Sequence, residues 1–105
     1  MKRIKIKGDD LLNRDEKVIL DKLTDEYLNK IQRKFQNSLL EVHIKVYDKD
    51  GQRKKFSLNV HLISTKGNID ASDADWDFSR VLHKVFNKIL NEIEHRFHIS
   101  DQHKR

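Results

Sequence analysis

The chain has 105 residues, of which 37% are charged and 36% hydrophobic, so it holds one modest core beneath a densely charged surface. Lysine and arginine number 22 against 17 acidic residues, and the formal net charge of +5 favours an anionic partner such as nucleic acid without requiring one. The absence of cysteine excludes disulfides, thiol catalysis and cysteine-based metal sites. No apolar stretch is long enough for a signal peptide or a bilayer span, and this fits a cytoplasmic protein.

The chain begins with a short predicted strand, followed by a long predicted helix. Isoleucines alternate with basic residues before Gly8, which is typical of a strand with one buried face. From about Asp15 to Phe35 the apolar residues recur at helical spacing, and Asn13 or Asp15 is suited to cap the start of this helix.

Two segments with alternating apolar residues flank Asp50-Gly51-Gln52 and predict a β-hairpin. A two-residue loop would place Val46 opposite Lys55 and mix apolar with charged side chains on one face. A three-residue loop places Val46 opposite Phe56 and keeps the apolar sets together. We therefore expect a bulged turn of three residues, with a five-residue loop as the alternative.

After Gly67 the sequence predicts a short strand around Asn68 to Ser72 and a second helix from about Asp77 to His98, opened by Asp73 or Asp75. The apolar face of this helix consists of Phe78, Val81, Leu82, Val85, Phe86, Ile89, Ile93 and Phe97. Trp76, just before the helix, suits a core position and an exposed one about equally well.

The element order β-α-β-β-β-α predicts an α+β two-layer sandwich, in which two helices cover one face of a four-stranded mixed sheet. The first helix is long enough for a crossover that makes strands one and two parallel, and the other strands follow as an antiparallel meander. This arrangement is like the double-stranded-RNA-binding fold. Residues 1–100 form a single domain, and residues 101–105 are a frayed polar tail.

Basic residues on the two helices are the first candidate site. They would form one continuous basic surface if the helices lie side by side, and RNA backbones are held largely by such charges. The predicted RNA-binding residues are Lys30, Arg33, Lys34, Arg80, Lys84, Lys88 and His95. The alternative is an ordinary solvated helix face, stabilised by pairs such as Lys88 with Glu92.

The open face of the sheet is a rival surface, on which Tyr47 is the clear candidate for stacking on single-stranded bases. The six histidines also suggest a metal site at His95 and His98, or an acid–base pair of His43 and His61. No carboxylate pattern completes the metal site, and no nucleophile or phosphate loop accompanies the acid–base pair. We therefore expect no catalysis, metal, cofactor or small-molecule substrate.

Four local patterns resemble the ribosome hibernation-promoting factors, also called ribosome-associated inhibitors. The patterns are Ile4-Lys5-Ile6-Lys7-Gly8, Lys30-Ile31-Gln32-Arg33-Lys34-Phe35, Asn68-Ile69-Asp70-Ala71-Ser72, and Asp77-Phe78 followed by Leu82 and Lys88-Ile89. Together with the element order, they extend the resemblance over about residues 2–97.

The resemblance implies a ribosome-binding factor that silences translation by occupying the decoding region of the small subunit through rRNA contacts. It matches Lys30 and Lys88 directly to the family pattern. It also implies the short form of the family, without the C-terminal domain that pairs two ribosomes. A general structured-RNA-binding module and a protein-interaction domain remain the alternatives.

Overall fold

The structure, a computed structural model, describes residues 4–49 and 53–97, which form a four-stranded sheet covered on one face by two helices. In chain order the elements are β1 (Ile4–Lys7), a 3-10 helix (Asp9–Leu11), α1 (Arg14–Lys34), β2 (Leu39–Lys49), β3 (Arg53–Ser64), β4 (Gly67–Asp75) and α2 (Phe78–Phe97). The predicted α+β sandwich and its element order are confirmed. The 3-10 helix was not predicted.

The sheet has the strand order β1-β2-β3-β4, with β1 parallel to β2 and the other pairs antiparallel, as predicted. Val46 lies opposite Phe56, so the apolar residues of both hairpin strands share one face. This register confirms the parity argument for a loop of three residues. The loop residues 50–52 themselves lie outside the described part of the chain.

The core lies between the apolar sheet face and the two helices. On α2 the residues of the predicted apolar face from Val81 to Ile93 are fully buried, and Phe78 is 4% exposed. The ring of Tyr27 on α1 stacks on that of Phe86 on α2, with centroids 4.9 Å apart, so the two helices pack side by side. The side chain of Phe97 and the predicted tail at residues 101–105 are outside what the structure describes.

Helix α1 begins where the sequence predicts, at a capping box. The Asn13 side chain accepts a hydrogen bond from the Glu16 backbone N–H at 2.8 Å, and the Glu16 carboxylate accepts one from the Asn13 N–H at 2.9 Å. These reciprocal bonds satisfy two backbone donors that the first helical turn leaves unpaired. Of the two candidate caps, Asn13 is therefore the correct one.

The prediction that Asp73 or Asp75 opens the second helix is wrong. Strand β4 continues to Asp75, because its backbone still pairs with β3 as far as Phe56. The capping residue is Asp77, whose carboxylate accepts a hydrogen bond from the Arg80 backbone N–H at 3.0 Å. The strand thus extends three residues beyond the predicted end at Ser72, and its last aspartates lie beside α2.

Candidate RNA-binding surfaces

Arg80, Lys84 and Lys88 lie in one row along α2, as predicted, but each contacts a carboxylate at the end of β4. Arg80 donates to both oxygens of Asp75 at 2.8 and 2.9 Å. Lys84 lies 3.1 Å from Asp75 and 3.4 Å from Asp73, and Lys88 lies 3.1 Å from Asp73. These five residues form a single ion-pair network, which we call the edge cluster.

The edge cluster exists because of strand alternation. Ile69, Ala71, Asp73 and Asp75 occupy alternate positions of β4, so all four side chains are on the face covered by α2. The first two of them contribute apolar surface to the core. The aspartates follow where the core ends, and the cations on α2 compensate their charge in this half-buried position. The alternation in the sequence indicates that the two aspartates share a face with Ile69 and Ala71, but two acids before a helical pattern suggested a cap instead.

Basic side chains of α2 also bind the outer backbone edge of β4. Lys88 donates to the carbonyl oxygen of Ser72 at 2.9 Å, and Arg96 donates to that of Asn68 at 2.8 Å. Strand β4 is at the edge of the sheet, where alternate carbonyl groups have no partner strand. The lysine and arginine therefore satisfy backbone acceptors that would otherwise be available to another chain.

The edge cluster holds its aspartates in the ionised state. The Arg80 guanidinium lowers the pKa of Asp75 well below its usual range, aided by the Asp77 N–H and by Lys84. Burial opposes ionisation of Asp73, but hydrogen bonds from the Ala74 N–H and from Lys88 outweigh it and lower the pKa of Asp73. The same contacts raise the pKa values of Arg80 and Lys84.

We expect the protein to lose stability in acid through these two aspartates. Their folded-state pKa values lie below the ordinary value of about 3.9, so protonation favours the unfolded chain. Their stabilisation is complete above about pH 5 and declines as the pH falls below about 4 towards the folded-state values. Urea unfolding from pH 7 to pH 2 measures this decline. The variant Asp73→Asn with Asp75→Asn should show a shallower decline, and an equal decline in both proteins would contradict the assignment.

The predicted residues of α1 form a second group. Lys30 and Arg33 are exposed, and the Lys30 ammonium lies 5.0 Å from the centre of the Tyr27 ring. Lys34 is less exposed, at 28% of its side chain, and lies 4.0 Å from Glu94 on α2. None of the ion pairs between described residues involves Lys30 or Arg33.

The two groups of cations lie on two sides of α2. Tyr27 bonds to His83 at 2.6 Å and Lys34 approaches Glu94, so these positions mark the side of α2 that faces α1. The row from Arg80 to Lys88 faces β4 instead. The helix layer therefore does not form the one continuous basic surface that the sequence predicts. It carries two basic groups, with aspartates beside the cations that face β4 and Glu94 beside Lys34 in the other group.

His95, the last predicted residue, is exposed and lines an open cavity of about 880 Å³ together with Lys88, Glu92 and Asp70. In the described ranges no three histidine or acidic side chains are grouped as metal ligands would be. His98, the other half of the suggested pair, lies outside those ranges.

The two histidines of the suggested acid–base pair are on the open sheet face but are not opposite each other. His43 faces Asn59 and His61 faces Glu41, so the histidines are diagonal neighbours. The His61 ring nitrogen bonds to the Asp70 carboxylate on the adjacent strand. His61 is therefore held by a hydrogen bond to its neighbour on β4, and among the described contacts no hydrogen bond joins the two imidazoles.

The open sheet face has an aromatic residue that the sequence left undecided. Trp76 is 38% exposed and Tyr47 is 47% exposed, and both lie at the same corner of the sheet. Lys55 joins them, because it is the cross-strand partner of Tyr47 and its ammonium lies 5.8 Å from the centre of the Trp76 ring. The position of Trp76 could not be read from the sequence, since it depends on how far β4 extends.

Comparison with solved structures identifies proteins of the same architecture. A ribosomal subunit interface protein from Coxiella burnetii superposes with a TM-score of 0.61 at 14% identity, covering 90% of this chain and 96% of the other. The N-terminal domain of Protein Y from Thermus thermophilus gives a TM-score of 0.58 at 12% identity, covering 90% of this chain and 94% of the other.

This chain shares its fold with both proteins. The fold that the sequence predicts is therefore found in solved proteins over nine-tenths of this chain. No protein-family model matches the sequence, and no curated protein matches it either. No helix within residues 4–49 and 53–97 has both the length and the apolar character needed to cross a membrane.

Proposed function

We propose that the protein binds the small ribosomal subunit in the cytoplasm and silences translation as a hibernation factor, without catalysing a reaction. It would occupy the decoding region and exclude messenger and transfer RNA by its volume. The contacts with rRNA would come from Lys30, Arg33, Lys34, Arg80, Lys84, Lys88 and His95 on the helix layer. The observation that carries the proposal is the fold shared with a ribosomal subunit interface protein over 90% of this chain.

The charge distribution supports an RNA partner for the helix layer. Lys30 and Arg33 are exposed, and no carboxylate among the described residues forms an ion pair with them. RNA phosphates can therefore bind these cations without displacing an acidic side chain. The net charge of +5 attracts the subunit over a longer range.

The edge cluster changes how its three cations would bind RNA. Their side chains remain 41–62% exposed even when paired. The aspartates themselves are only 10–20% exposed, so a phosphate would bind the outward side of the cations and share them with the aspartates. Asp73 and Asp75 thus hold the three cations in one orientation and also compete with RNA for them.

Sedimentation through sucrose gradients tests the proposal. Purified protein is mixed with small subunits, large subunits or free duplex RNA, and its position is followed at low and high salt. We expect it to sediment with the small subunit, to dissociate as salt rises, and to inhibit the binding of initiator transfer RNA. Equal binding to free duplex RNA would indicate a general structured-RNA module. Salt-independent binding would indicate a protein partner, and either result would contradict the proposal.

A further inference from the structure

The open face of the sheet carries three cross-strand rows of residues without an acid. The first row joins Tyr47, Lys55 and Trp76 at the hairpin end of the sheet. The second joins Lys45, Ser57 and Ala74, and the third joins Lys7, His43, Asn59 and Ser72. We call these ten residues the sheet platform. The next row, Lys5-Glu41-His61-Asp70, contains two acids and ends the acid-free area.

The lysines of the sheet platform differ from those of the edge cluster. Lys7 and Lys45 are exposed and, like Lys55, form no ion pair with any residue in the described ranges. Arg80, Lys84 and Lys88 are all paired with aspartates. On strands β1 to β3, these lysines without an acidic partner therefore lie on the face away from the helices.

The aromatic residues give the sheet platform a second property. Tyr47 and Trp76 are on opposite sides of the β3 residue Lys55, so their backbones are separated by about 10 Å, twice the spacing of adjacent strands. Large exposed rings beside unpaired lysines are the features with which proteins bind single-stranded nucleic acid, because every base has a face for stacking. A groove of about 380 Å³ next to Tyr47, lined by Lys45, His43 and Asn59, continues from this corner.

We propose that the sheet platform binds single-stranded RNA, with bases stacked on Tyr47 and Trp76 and phosphates at Lys45, Lys55 and Lys7. The Lys55 ammonium now lies over the Trp76 ring, but an exposed cation–π contact is weaker than base stacking. An arriving base takes the ring face, and the lysine turns to a phosphate. This inference goes beyond the proposed function, because it concerns the face opposite the helices and needs no ribosome.

The chain has one tryptophan, so its fluorescence reports directly on the proposed site. Titration with twelve-nucleotide oligo(A) should quench Trp76 emission more strongly than oligo(U), since purines stack better, and a twelve-base-pair duplex should quench little. The apparent Kd should rise with salt, with a log–log slope of about 2 for three phosphate contacts to a single strand. Absence of quenching by both single strands would overturn the proposal.

Variants separate stacking from charge. Tyr47→Ala should weaken oligo(A) binding about tenfold, whereas Tyr47→Phe keeps the ring and should bind as the natural protein does. Lys45→Glu with Lys55→Glu should weaken binding more than tenfold and reduce the salt slope. The matched control, Lys17→Glu with Lys22→Glu, changes two exposed lysines of α1 by the same charge and should have no more than a twofold effect.

Two outcomes would contradict the proposal even if RNA binds. One is equal weakening by the α1 control pair, which would mean that only net charge matters. The other is loss of oligo(A) binding on replacing Lys30 and Arg33 with no effect of the platform variants, which would assign single strands to the helices. Circular dichroism and urea midpoints confirm that each variant is folded. Because no assay uses ribosomes, failure here leaves the proposed ribosome binding to its own sedimentation test.

Discussion

Replacing Lys30 and Arg33 by glutamate is expected to weaken binding to the small ribosomal subunit about a hundredfold, because each cation bound to a phosphate contributes roughly tenfold to the affinity. Both side chains are exposed, and neither forms an ion pair with another described residue, so the change should leave the fold intact. The log–log dependence of affinity on salt should become shallower by about 2. Co-sedimentation at several salt concentrations provides both quantities.

The cations of the edge cluster need a different substitution. Glutamates at Lys84 and Lys88 would lie within ion-pair distance of Asp73 and Asp75, and the like charges would disrupt the end of β4. Glutamine removes the positive charge but keeps an N–H donor for the Ser72 carbonyl. Lys84→Gln with Lys88→Gln should therefore weaken subunit binding further in the Lys30 and Arg33 background while the protein stays folded.

A variant with the opposite expected effect makes this test specific. Replacing Asp73 and Asp75 by asparagine removes the carboxylates that compete with phosphate, so it should strengthen subunit binding several-fold at neutral pH. The pair Lys17→Glu and Lys22→Glu again controls for net charge. Full binding by the folded Lys30 and Arg33 variant would show that the helix layer is not the RNA-binding surface. Weaker binding by the asparagine variant would show that the aspartates act by orienting the cations and not by competing for them.

The sequence was sufficient for the architecture because alternation and helical spacing are local signals. Ile4 and Ile6, and the pairing of Val46 with Phe56, follow from which residues must share a buried face. The edge cluster could not be derived in this way. Whether Lys84 pairs with Asp75 or remains available to a phosphate depends on the tertiary packing of α2 against the end of β4. Helical spacing places the cations in a row but says nothing about their partners.

The same reason explains why the sequence did not predict that Trp76 lies beside Tyr47 at a corner of the open sheet face. Trp76 directly follows the last residue of β4, and its exposure depends on where that strand ends. A strand ending at Ser72, as predicted, would have left Trp76 in a connecting loop. The three additional pairings with β3, made by residues 73–75, bring it beside Lys55 on the open face. Local patterns therefore define the two layers, whereas the ends of the elements decide which side chains meet on each surface.

Replacing Gly8 by alanine is expected to lower the free energy of unfolding by about 3 kcal/mol, from positive-φ strain and a steric clash together. Gly8 joins β1 to the 3-10 helix with φ of 92°, a conformation that L-residues with a side chain rarely adopt. An added Cβ would also lie 2.1 Å from the carbonyl oxygen of Ile44, far inside van der Waals contact. Ile44 is 1% exposed and cannot move without disturbing the core.

Thermal and urea unfolding measure this destabilisation, which should lower the Tm by more than about 10 °C in a domain of this size. Asn37→Ala is the matched control, because Asn37 is exposed and has a positive φ of 63°. It reports the cost of the backbone conformation without a clash, about 1 kcal/mol. The difference between the two variants is then the steric contribution at Ile44. If Gly8→Ala were no more destabilising than the control, the close approach of this turn to β2 would not be required by the fold.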